Sequence, residues 1–193
     1  FIRSRTLGDT PAAAAPRVAA AVQGERGRVL STLKHFPGHG VAPGDSHSSI
    51  PGTGMGYDEW RETHALPFEA GIGAGAELVM FGHLRFDAID DAPATLSARW
   101  HDILRDDLGF DGVAVTDDLS MLEHSGEPEY ADPVQNAVQA LEAGNDLLLF
   151  VGHLDVDAAV RAVTEAVESG RIPEERLDQA ALRVLALRHS LAE

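Results

Sequence analysis

The sequence predicts an α/β fold built on a parallel sheet, and three observations carry that expectation. Four short apolar runs stand out, over residues 29–36, 78–83, 112–117 and 146–151. Their cores (Leu78-Val79-Met80-Phe81, Val113-Ala114-Val115, Leu147-Leu148-Leu149-Phe150) are nearly continuous rather than alternating, as in strands buried on both faces. Segments with helical spacing separate the runs in strict alternation, and the last two intervals between run starts are equal, as a βα repeat requires.

Each element has its own local reason. An opening helix over 11–23 precedes the first run. A helix over 57–74 carries Trp60, Ala65, Phe68 and Ile72 at helical spacing, and one over 97–108 opens on Ser97 as N-cap, with Trp100, Ile103, Leu104 and Leu108 following. The segment 133–143 starts with Pro133 and stops at Gly144, the expected asymmetry of helix ends. Helices over 156–168, ending at Gly170, and 173–191 close the chain. No stretch reads as a linker, so residues 1–193 form a single region.

Composition excludes several function classes. The formal charge is −16, from 15 Lys+Arg against 31 Asp+Glu, and such a surface repels phosphate backbones and anionic lipid. Nucleic acid is therefore not an expected partner. The absence of cysteine removes disulfides, thiolate metal sites and a cysteine nucleophile. No apolar run approaches the ~20 residues of a membrane span. The chain opens on Phe1-Ile2-Arg3 without a Met and reads as a piece of a longer protein, which leaves its location open.

In parallel α/β folds the working groups collect where strands end. Here the first run ends in Lys34-His35, the second in His83 and the third in Asp117-Asp118. One such site commonly just meets water; three together point to function. The loop from Lys34 to His47 concentrates Gly, Pro, His and Asp far beyond the needs of a connector. Asp45 and His47, two apart, can pair so that the carboxylate orients the imidazole as a general acid/base. His35, His39, Asp45 and His47 could alternatively hold a divalent metal, but no H-E-x-x-H helix accompanies them, so no metal or other cofactor is expected. A serine hydrolase is disfavoured, because no G-x-S-x-G occurs.

Lys34-His35-Phe36-Pro37-Gly38-His39-Gly40, then four residues, then Asp45-Ser46-His47, resembles the signature of family 3 glycoside hydrolases of the β-N-acetylglucosaminidase branch. The segment 108–121, containing Val113-Ala114-Val115-Thr116-Asp117-Asp118, is similar to that family's nucleophile strand. Val79-Met80-Phe81-Gly82-His83, Ala143-Gly144-Asn145-Asp146, Ser169-Gly170-Arg171-Ile172-Pro173 and Arg5-Thr6-Leu7-Gly8 match further family positions in order. The resemblance implies a (β/α)8 TIM-type barrel, of which this chain would hold the C-terminal half, about four βα units. It also implies a retaining exo-glycosidase that removes terminal β-linked N-acetylglucosamine from a saccharide substrate.

Carried over residue by residue, Asp117 would be the nucleophile, His47 the acid/base and Asp45 its dyad partner. Arg5, Lys34, His35 and His83 would bind the sugar, with Lys34 and Arg5 favouring the carboxylate form of Asp117. Asp118 is the competing nucleophile; the family fixes the first carboxylate of the pair and varies the second. A histidine base is neutral after protonating the leaving group, so a phosphate acceptor, and hence a phosphorylase variant, stays open. A plain β-glucosidase of the same family would lack the Asp-Ser-His loop, and a non-catalytic sugar-binding relative would lose Asp117 or His47. The sequence departs from the family at Val41, where Asp is frequent, at Thr6-Leu7, and in the glycine-rich stretch 48–57. A complete barrel runs to ~250 residues, so the missing amino-terminal half is an expected partner of this piece and the isolated fragment is expected to be inactive.

Overall fold

The computed structural model describes residues 5–42, 44, 46 and 48–191. Helix α1 (Pro11–Glu25) is capped by the Thr10 side chain and leads into β1 (Thr32–Phe36). A glycine-rich loop then returns through the two-residue strand β2 (Gly52–Thr53) to α2 (Tyr57–Glu62) and α3 (Ala65–Gly73). Strands β3 (Leu78–Phe81) and β4 (Arg85–Phe86) follow, then α4 (Ala98–Asp102), a wider turn over Ile103–Asp107, and β5 (Val113–Thr116). The remainder is helical: α5 (Ser120–Glu123), α6 (Pro133–Ala143), α7 (Val156–Glu168) and α8 (Glu174–Ser190).

The main sheet is parallel, in the order β1-β3-β5. Strand β5 is buried at every position, as its unbroken apolar run requires. A second, two-stranded parallel sheet pairs β2 with β4, and so ties the end of the loop after β1 to the segment after β3. The α/β class and parallel pairing agree with expectation. A closed barrel is not formed by these elements.

Three expected elements differ in detail. The run 146–151 lies beside β5, but only Val115 and Leu147 form a ladder bridge. Past that bridge, the amides of the run turn to side-chain acceptors: the Leu149 amide donates to Thr116 Oγ1 (2.9 Å) and the Val151 amide to Asp118 Oδ1 (2.9 Å). The helix expected over 57–74 breaks at Thr63, whose backbone leaves helical angles and whose hydroxyl donates to the Glu59 carbonyl (2.5 Å). The helix expected over 97–108 starts where predicted, Ser97 accepting the Trp100 amide at 3.1 Å, but widens after Asp102.

The largest core cluster lies between β1 and β3 and helices α2 to α4. Phe36 is its centre, edge-on to Trp60, Phe68, Phe81 and Trp100 with ring centroids 5.0–5.8 Å apart. Each such pair adds roughly 0.5–1.5 kcal/mol beyond burial. A second anchor is ionic: the fully buried carboxylate of Asp146 accepts from Arg105 (2.7 Å), Arg176 (2.9 Å), Arg183 (3.2 Å) and the Ala114 amide (2.9 Å). It thereby fixes β5 against α8 and the start of the last run. Among the described residues, no helix is long and apolar enough to cross a membrane.

Candidate active site

Strand β1 sets the first part of the site. Leu33 packs against Gly71 of α3 and Phe36 enters the aromatic core, while Lys34 between them is exposed and His35 faces away toward β5. Strict two-residue alternation would not allow Leu33 and Phe36 on one side. The β1–β3 register shifts between Lys34 and Phe36, and the Lys34–His35 and Phe36–Pro37 peptide bonds are cis. Gly82, just beyond β3, leaves room for His35: a Cβ there would stand 3.0 Å from the His35 Cβ.

His35 Nε2 lies 3.5 Å from Asp117 Oδ2. Burial pushes the imidazole down from 6.5 to about 4, against the pull of Asp117, and the charges of Lys34, His39 and Arg5 push the same way as burial. At neutral pH the ring is therefore uncharged. Its Nδ1 is buried and has no hydrogen-bond partner among the described residues. Arg5, Lys34, His35 and His39 line one cleft of about 610 Å³, which runs along the free edge of β1. Asp117 does not line that cleft; it is linked to it through His35.

The two aspartates after β5 have different environments. Asp117 is held through its backbone, its amide donating to the Phe81 carbonyl at 2.8 Å, while its Oδ1 accepts the neighbouring Asp118 amide (2.9 Å). Asp118 Oδ1 accepts from the Ser120 hydroxyl (2.6 Å), the Ser120 amide (3.0 Å) and the Val151 amide (2.9 Å). Burial works against the Asp118 carboxylate, but the Ser120 hydroxyl and the two amides outweigh it, and His83 adds to them, so the carboxyl stays below its usual range.

His83 sits beneath this pair. It is 1% exposed; Nε2 donates to the Asp118 carbonyl (2.9 Å) and Nδ1 is 3.0 Å from the Thr95 hydroxyl, which itself reaches the Gly82 carbonyl (2.9 Å). Burial holds its basicity below the ordinary histidine value. Both ring nitrogens are thus engaged by the framework under the turn that carries Asp117 and Asp118. Asp45 and His47 lie outside the described residues. Among the described residues no cluster of three metal-type ligands occurs.

Several contacts around the loop were invisible in the sequence. The Trp60 indole donates to the Pro37 carbonyl (2.8 Å), and Gly38, at φ 136°, sits against the His64 ring, where a Cβ would come within 3.1 Å. His39 Nε2 and Ser46 Oγ are 2.9 Å apart, both buried. Arg85 pairs with Glu127 at 2.7 Å, joining β4 to the segment beyond the Asp117–Asp118 turn. Of these, only the turn-forming Pro37-Gly38 pair carries a local sequence signal.

Residues 2–187 match the family model of the glycosyl hydrolase family 3 N terminal domain. The chain belongs to glycosyl hydrolase family 3. Among curated relatives of this family, a beta-hexosaminidase of Stenotrophomonas maltophilia (strain K279a) is 40% identical over 166 residues, 84% of this chain and 48% of the relative. Among solved structures, a glycoside hydrolase family 3 beta-N-acetylglucosaminidase from Paenibacillus sp. str. FPU-7 is 40% identical with a TM-score of 0.86, covering 96% of this chain and 36% of that one. A beta-glucoside phosphorylase is 29% identical with a TM-score of 0.85, covering 97% of this chain and 35% of that one. The chain thus spans about half or less of the length of the curated relatives it matches.

Proposed function

We propose that this chain carries the catalytic half of a retaining exo-glycosidase that hydrolyses terminal β-linked N-acetylglucosamine. The observation that carries the reading is the contrast between two adjacent carboxylates. Asp118 is committed to three hydrogen bonds, whereas Asp117 Oδ2 faces the uncharged His35 ring beside a cleft. Asp117 would attack the anomeric carbon and expel the leaving group, forming a covalent glycosyl-aspartate that water then hydrolyses. His47, oriented by Asp45, would protonate the departing oxygen and afterwards deprotonate the water. Arg5, Lys34 and His35, which line the cleft, would hold the sugar hydroxyls. His83 would serve only to fix the turn.

The chain would supply the C-terminal four βα units of a (β/α)8 barrel, residues 1–193 forming one region of it. In support, the sheet has free edges at β1 and at the run beyond β5, and Leu147, Leu149 and Val151 on that run are exposed. Its partner would be the amino-terminal half of the same barrel.

The test is trapping with a 5-fluoro N-acetylglucosaminide followed by peptide mapping, in the protein at its full natural length. Label on Asp117 is expected, and label on Asp118 would overturn the assignment. Asp117→Ala should abolish turnover, and His47→Ala should slow unactivated substrates by ~10²-fold or more while sparing those with good leaving groups. A second reading, phosphorolysis, is favoured by the likeness to a beta-glucoside phosphorylase and by the neutral histidine base. A sugar 1-phosphate formed with inorganic phosphate in place of water would establish it.

A further inference from the structure

We propose that His39 is the positioning residue of the acid/base segment and acts through Ser46. The inference rests on the acid/base reading of Asp45 and His47. Ser46 is the residue between those two in sequence, so an anchored Ser46 restricts how far the backbone on either side of it can swing. Its hydroxyl is 2.9 Å from His39 Nε2, and both side chains are buried, at 5% and 6% exposure. A buried hydrogen bond of this kind resists breaking, because either partner left alone would stay desolvated and unpaired.

His39 is itself well placed to serve as the fixed end. It begins the short turn His39–Val41, directly after Gly38, which packs on the His64 ring. One residue earlier, the Pro37 carbonyl is pinned by the Trp60 indole, whose ring is fully buried in the aromatic core. On its other side the His39 ring meets the His35 ring edge-on, centroids 5.9 Å apart, and His35 reaches Asp117 at 3.5 Å. A chain of direct contacts therefore runs from the nucleophile through two imidazoles to the residue between the acid/base pair. The same ring that packs beside the nucleophile's neighbour also sets where the proton donor is anchored.

Neither His39 nor Ser46 need touch the sugar for this, so each acts on chemistry through residues 45 and 47. The two ends should behave as one unit. His39→Phe keeps the ring volume and removes the hydrogen bond; Ser46→Ala removes it from the other end; His39→Gln retains a donor and acceptor.

The experiment compares these variants and the His39→Phe/Ser46→Ala double variant, in the protein at its full natural length, by two readouts. The first is amide hydrogen exchange over residues 44–48. The second is kcat/KM on a 4-nitrophenyl N-acetylglucosaminide and on an alkyl N-acetylglucosaminide, whose leaving group needs protonation. We expect exchange to quicken about tenfold in both single variants, with no further change in the double. Turnover of the alkyl glycoside should fall ~10–100-fold, the 4-nitrophenyl glycoside less than about threefold, and His39→Gln should recover much of the loss. Unchanged exchange in either single variant, or additive effects in the double, would overturn the proposal. Faster exchange with equal losses on both substrates would uphold the positioning and instead sink the acid/base role of His47.

Discussion

Asp117 and Asp118 are chemically identical and adjacent, yet the surrounding atoms divide their labour. Asp118 Oδ1 gathers three donors: the hydroxyl and amide of Ser120 and the amide of Val151. Its carbonyl takes the His83 proton as well. Removing that carboxylate would leave the partly buried amide and hydroxyl of Ser120 unpaired and release the exposed Val151 amide, detaching the last run from the turn. We therefore expect Asp118→Ala to lower stability by roughly 2–3 kcal/mol in urea unfolding. Asp117→Ala should stay within about 1 kcal/mol of wild type, since its side chain holds a single neighbouring amide among the described residues. Equal losses in the two variants would contradict this division. The two histidines that stand at strand ends in the sequence differ in a similar way. His83 has both nitrogens engaged by the framework; His35 keeps a buried Nδ1 open among the described residues.

At the scale of elements, helix α6 shows how a local signal and a tertiary contact coincide. Pro133 opens it, Asp132 caps it by accepting the Val134 and Gln135 amides, and Gly144 ends it at φ 130°. Gly144 also lies against His101 of α4: a Cβ would come within 2.7 Å of the ring. Gly144→Ala therefore meets a left-handed backbone cost and an overpacked neighbour together. A loss of about 2–4 kcal/mol in thermal or urea unfolding is expected, and a neutral substitution would show that the junction gives way. Pro133 and Gly144 made this helix legible in the sequence, as continuous apolar runs did for β3 and β5. Elements set by distant partners were not legible. The break at Thr63 in the helix expected over 57–74 does have a local signal, Pro67, which offers no N–H to the Thr63 carbonyl four residues earlier, but the two-residue strands β2 and β4 are too short to show a period. The last run reads as a strand, but its amides are taken by Thr116 and Asp118, residues some thirty positions away. The candidate site divides the same way: motif spacing named Lys34, His35 and Asp117, whereas the contacts of His39, Trp60 and Thr95 had to be seen in the fold.

For the whole molecule, acid stability follows from how many histidines are folded away uncharged. Burial brings His35 and His101 down to about 4 and lowers His83 as well. His101 stacks flat on Phe81, ring centroids 3.9 Å apart, donates from Nδ1 to the Ser97 carbonyl, and buries Nε2 without a partner among the described residues. In the unfolded chain these imidazoles protonate near 6.5. Between about pH 6.5 and pH 4 the unfolded state therefore binds more protons than the folded one, so stability rises with pH across this window and is lost as pH falls through it. Each such group contributes a slope of at most about 1.4 kcal/mol per pH unit. The net charge of −16 acts the other way, because acid relieves self-repulsion, but carboxylates take up protons mainly near pH 4. Above pH 5 the histidines decide the sign. The melting temperature should fall by at least ~5 °C from pH 7 to pH 5, on the scale of 2–4 °C per kcal/mol for a domain of this size. His101→Phe keeps the stack on Phe81 and removes one titrating group, so it should flatten the slope without reversing it. A melting temperature that stays level or rises from pH 7 to pH 5 would mean that charge repulsion, not histidine burial, governs this protein in acid.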